Sequence, residues 1–131
     1  VPYRYRIDKT HRVVLFRATG HLTTREFLTC LKEIVRQPGF APGFGHLVDL
    51  TRCSRIAPGS SAMLARIRDD RSMGDRLGHG RCALVSKDFF VYATTRIYKA
   101  LARGGPLEVE LFDDLDAARR WLGLPVARRR D

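Results

Sequence analysis

Long hydrophobic runs are missing from this sequence. No apolar stretch approaches the roughly 18 to 20 residues that cross a bilayer, so no membrane-spanning helix is expected. Cysteine is scarce: Cys30, Cys53 and Cys82 are odd in number and far apart, which speaks against a disulfide framework, and no CxxC or Cys/His cluster offers zinc ligands. The four histidines, His11, His21, His46 and His79, fall in predicted turns or at strand ends and lack HxH or HExxH spacing. A GxSxG nucleophile elbow is absent. Gly43-Phe44-Gly45 precedes a predicted strand instead of following one, so it is no phosphate-binding loop. No enzymatic activity, metal or cofactor is expected from such a set. The opening residues, Val1 to Arg6, carry no apolar core of a secretory signal, and the expected setting is reduced and cytoplasmic.

Arginine, by contrast, is abundant. The 131 residues carry 24 Lys and Arg against 14 Asp and Glu, a net charge of +10, and only 4 of the 24 are lysine. The excess is spread: residues 1–65 hold 10 basic and 4 acidic groups, residues 66–131 hold 14 and 10. Proteins that grip phosphates cluster their charge, so a basic solvated surface is expected here rather than a nucleic-acid footprint. The one basic run, Arg128-Arg129-Arg130, follows Pro125 in a short tail. A hydrophobic share of 44% in a chain of this length is enough for one domain with a real core.

Periodicity supplies the elements. Tyr3, Tyr5 and Ile7 alternate with Arg4, Arg6 and Asp8, and Val13 to Thr19 forms a second strand closed by Gly20. The short link Asp8 to His11 predicts an antiparallel hairpin. Thr23-Thr24-Arg25-Glu26 is a capping box, after which Phe27, Cys30, Leu31, Ile34 and Val35 recur at helical spacing until Pro38. Cys30 fits there as a small apolar residue, not as a nucleophile. Leu47 to Leu50 predicts a short strand, and a second helix starts near Pro58 with Met63, Leu64 and Ile67 inward. Ser72 to Gly80 reads as a loop, and Cys82 to Val85 as a strand covered on both faces. Ser86-Lys87-Asp88 caps a third helix carrying Phe89, Phe90, Ala93, Ile97 and Leu101, terminated at Gly104-Gly105-Pro106. Leu107 to Phe112 alternates as a last strand. Asp113 caps a last helix with Leu115, Ala118, Trp121 and Leu122 inside, ended by Gly123 and Pro125.

The order β-β-α-β-α-β-α-β-α predicts a single α/β domain over residues 1–131, with its core at about 3–124 and a basic tail at 125–131. Its five-stranded mixed sheet has an opening antiparallel hairpin, with the remaining strands parallel and joined by right-handed crossovers, and about four helices. The alternating first and last strands belong at the edges.

This order resembles the SpoIIAA-like family, the group that includes STAS domains, and in particular its small stand-alone bacterial branch. The resemblance spans about Tyr5 to Leu124 and rests on Leu47-Val48-Asp49-Leu50 after a turn-rich loop, on Ala83-Leu84-Val85-Ser86, and on Leu111 to Gly123. It implies that a serine at the start of the helix after the third strand is phosphorylated and so controls binding to a partner kinase. Ser60-Ser61-Ala62 is similar to that motif, although Gly59 stands where the family has an acid.

From the residues alone, Ser60 or Ser61 is either an N-cap or an anion site at a helix start, with Arg55 and Arg66 near in sequence. A second candidate is the rim at the carboxyl ends of the parallel strands, where Asp49, Thr51, Ser86, Asp88 and Asp113 join Tyr92 and Tyr98 over an apolar floor. Such a rim suits a small amphipathic or lipid-like molecule, while Ser86, Asp88 and Asp113 also stand where caps are needed. The expected function is a non-enzymatic STAS-like binding or regulatory domain that acts through a protein partner or a small apolar or anionic ligand. Lipid or apolar small-molecule binding is the alternative. Anionic-surface or nucleic-acid binding through Arg66, Arg68, Arg71 and Arg128 to Arg130 is a further one, and a homodimer is left open.

Overall fold

Strands β1 (Tyr3–Asp8) and β2 (Val13–Thr23) pair antiparallel, with Tyr5 opposite Phe16 and Asp8 opposite Val13. The computed structural model describes residues 2–57 and 59–126. Alternation puts Tyr3, Tyr5 and Ile7 on the same face as Val14 and Phe16, and the Tyr3 and Phe16 rings stack 5.6 Å apart. The hairpin turn is held by Asp8, whose carboxylate accepts from the His11 N–H at 3.1 Å. Helix α1 (Thr24–Ile34) begins at the expected capping box. The Thr23 hydroxyl accepts from the Glu26 N–H at 3.0 Å, and the Glu26 carboxylate accepts from the Thr23 N–H at 2.9 Å.

The chain continues through β3 (Gly45–Ala57), α2 (Ser61–Asp69), α3 (Arg71–Leu77), β4 (Arg81–Val85), α4 (Phe89–Leu101), β5 (Glu108–Phe112) and α5 (Leu115–Trp121). The sheet order is β1-β2-β3-β4-β5, antiparallel between β1 and β2 and parallel thereafter. Edge and central strands therefore fall where alternation and continuous apolarity assign them. A strand order that never reverses, with crossovers of one hand, places every crossover helix on the same face. Packing agrees. Cys30 and Ile34 of α1 and Val91 of α4 join Val14, Phe16 and Val48 in one core layer. Among the described residues α5 alone covers the other face, where Ala118 meets Val13, Leu47, Ala83 and Val85. Among the described residues, no helix is long and apolar enough to cross a membrane.

Several local expectations are corrected. Among the described residues there are five helices, because Arg71–Leu77 is helical where its glycine content reads as a loop. The Asp70 carboxylate accepts from the Met73 N–H at 3.1 Å, and Met73 and Leu77, one turn apart, bury against Leu31 and Val35. Gly20 does not end β2: at φ +68 it sits in a bulge, and the strand runs on beside Arg52 to Ala57. Strand β3 is accordingly longer than Leu47–Leu50, and His46 and Asp49 lie within it. The last helix is capped by Asp114, which accepts from the Ala117 N–H at 3.0 Å, and not by its exposed neighbour Asp113.

Helix α4 turns a different face inward from the one its largest side chains suggest. Phe89, Phe90 and Ile97 are 79%, 76% and 55% exposed, while Val91 and Thr95 are buried and Tyr98 is half-buried. The Asp88 carboxylate accepts from the N–H groups of Phe90 and Val91 at 2.9 and 3.1 Å, which fixes where the helix starts. From that start Val91, Thr95 and Tyr98 follow at helical spacing over the sheet.

Candidate functional site

An apolar cavity of about 120 Å³ lies between the sheet and the layer of crossover helices. Its floor is built by alternate residues of the central strands, Val14, Phe16, Val48 and Leu84 among them. Leu28 and Leu31 of α1, Leu64 of α2 and Leu101 of α4 form its roof. One side is closed by Gly105-Pro106-Leu107, the link from α4 to β5. Glycine is required in that link: a Cβ on Gly105 would stand 2.9 Å from Arg68 Cγ and 3.0 Å from the Ala102 carbonyl oxygen. Arg68, at the same margin, is ion-paired to Asp69 at 3.0 Å and donates to the Leu101 carbonyl at 3.4 Å.

Three polar side chains belong to the cavity wall besides Arg68. Thr24 donates to the Ala57 carbonyl at 2.9 Å and shares a hydrogen bond with the Tyr98 hydroxyl, which ties α1, β3 and α4 together. His46 is different. It is 3% exposed, and among the described residues its Nε2 has no hydrogen-bond partner. Burial pushes its pKa down to about 4, so the ring is neutral at ordinary pH. The Phe40 ring lies 5.8 Å away, an apolar neighbour that supplies no bond. Cys82 also lines the wall, and burial pushes its thiol, like that of Cys30, up to about 12. Both stay protonated at neutral pH, and a protonated thiol is a poor nucleophile and metal ligand.

The residues expected at the strand ends separate into local pairs. Asp49 lies beside the last residue of β4, with Oδ1 accepting from the Thr51 N–H at 2.9 Å and from the Thr51 hydroxyl at 2.6 Å. Arg17, which the sequence did not single out, stands 3.4 Å from the second oxygen. Buried Ser86 donates to the Asp88 carbonyl at 3.3 Å, Asp88 caps α4, and Tyr92 is half-buried in its first turn. Ser60 is exposed and accepts from the Met63 N–H at 3.0 Å, the bond of an N-cap. The side chains of Ser61 and Ile67, Pro58, and Arg128 to Arg130 lie outside the described residues. Of the arginines offered for anions, Arg66 and Arg71 are exposed, but Arg68 is already paired.

The cavity was out of reach of sequence reasoning because its walls come from eight elements and no local spacing marks it. Ligand crevices at strand ends arise where strand order reverses, and this sheet never reverses. The open space is therefore in the layer between sheet and helices. The one signal on offer was His46, a lone polar residue set against the apolar run that follows it.

No family model matches the chain, and no curated protein matches it. Among solved structures, an uncharacterized protein from the DUF3478 family with a SpoIIAA-like fold, from Shewanella loihica PV-4, is similar at a TM-score of 0.57 and 21% identity, over 92% of this chain and 93% of that chain. A likeness at that identity concerns architecture, and it agrees with the element order, the antiparallel opening and the parallel remainder described above. The chain has the SpoIIAA-like fold.

Proposed function

We propose that this chain is a non-enzymatic, cytoplasmic STAS-like domain that encloses a small, mainly apolar molecule. The observation that carries the reading is the cavity of about 120 Å³ in the main core layer, where a well-packed domain keeps few voids larger than a water molecule. Its walls are largely hydrophobic, as small-molecule sites are. The three free, buried cysteines fit a reducing compartment. Native mass spectrometry of freshly purified protein, followed by titration with toluene and with phenol watched in a proton–nitrogen correlation spectrum, tests the reading. Carried-over mass, or saturable shifts at Leu28, Leu64 and Leu84, is expected. A chain that is empty and indifferent to both toluene and phenol would overturn it.

A protein partner is the second reading, supported by the exposed apolar stripe of α4. Phe90, Ala93 and Ile97 stand three and four residues apart on its outer side, with Phe89 beside Phe90 at a ring distance of 5.6 Å. Contiguous exposed apolar groups mark interaction surfaces more often than single ones do.

A further inference from the structure

We infer that the cavity selects an uncharged molecule of about one aromatic ring carrying a single hydroxyl group, held by a hydrogen bond to His46 Nε2. This rests on the small-molecule reading above and names what that site prefers. Size comes first. A cavity of roughly 150 Å³ accommodates benzene, and this one is about 120 Å³, which is the size of about one ring.

Chemistry narrows the choice further. A charged group would have to leave water for apolar walls, and Arg68, the cation at the margin among the described residues, is already bonded to Asp69 and to the Leu101 carbonyl. The hydroxyls of Thr24 and Tyr98 are bonded to each other, and Thr24 also to Ala57. That leaves His46 Nε2 as the buried polar side-chain atom without a partner among the described residues, on a residue that lines the cavity. An unmade buried hydrogen bond is costly, so a ligand that completes it gains more than one that only fills volume. A neutral imidazole nitrogen donates or accepts according to its tautomer, and a hydroxyl can answer either. Carboxylates and ammonium groups cannot do so without bringing charge.

The test compares phenol with toluene, two probes of similar shape, on the wild-type chain and on His46→Leu. The preference for phenol, taken as the ratio of the two dissociation constants, is expected to fall about tenfold in the variant. An equal ratio in both proteins would overturn the inference while leaving the small-molecule reading intact. Failure of both probes to bind the wild type would overturn both. Should His46→Leu not fold, His46→Phe keeps a ring at the position. The wild type alone also decides the matter: the His46 ring nitrogen signals should move with phenol and stay with toluene, and identical responses would count against the bond.

Discussion

At the scale of single residues, His46 stands apart because it is ionisable, buried and unpaired. Its pKa falls from the ordinary 6.5 to about 4, because the fold refuses a proton that the unfolded chain accepts. Stability from this group is therefore complete above pH 6.5 and is lost as pH falls from 6.5 toward about 4. The loss amounts to about 3 kcal/mol over that window, at 1.4 kcal/mol for each unit. Urea titrations of wild type and His46→Leu across pH 4 to 7 should show the wild type losing that much more than the variant. Parallel curves would mean that water or a rearranged neighbour accommodates the imidazolium. Residue-level chemistry was partly legible in advance. The Thr23 and Glu26 capping box could be read because its spacing is fixed by helix geometry. Asp113 and Asp114 could not be separated, since two adjacent aspartates fit the cap equally well by residue type and spacing. By sequence His46 falls just before a strand, because Pro38 to Gly45 reads as consecutive turns.

At the scale of elements, α4 shows why side-chain size is a poor guide to which face turns inward. Phe89, Phe90 and Ile97 outweigh Val91 and Thr95 in apolar surface, yet the smaller pair packs on the sheet. Position wins: from the start that Asp88 fixes, helical spacing carries Val91, Thr95 and Tyr98 over the sheet. Val91→Ala should cost about 2 kcal/mol, from two buried carbons at ~0.8 kcal/mol each and a small cavity term. Phe90→Ala should change stability by no more than about 0.5 kcal/mol. Urea midpoints at neutral pH measure both, and the opposite ranking would place Phe90 inside. Elements with strict alternation, such as β1 and β5, were legible from the sequence because two-residue periodicity leaves no choice of face. The continuation of β2 past Gly20 was not, since a glycine at positive φ looks the same in a sequence whether it ends a strand or bulges it.

At the scale of the whole molecule, topology was legible and emptiness was not. Alternation of strands and helices is written along the chain, but a void is a sum of small gaps among residues far apart in it. The strand order has a temporal consequence as well. Each strand lies next to the one made just before it, so no strand has to be inserted between two that are already paired. The sheet can be extended in the order of synthesis, from the β1–β2 hairpin through β3 to β4 and β5, with short-range pairings formed first and loop closure kept small. Hydrogen exchange on ribosome-stalled chains of increasing length should protect amides of β2 and β3 before β5 has been made, and protection of β2 and β3 only once β5 is present would reverse that order. If the order holds, the floor of the cavity is laid early. Its closing link, Gly105 to Leu107, follows the floor strands along the chain, so a small hydroxylated molecule could enter before that link is in place.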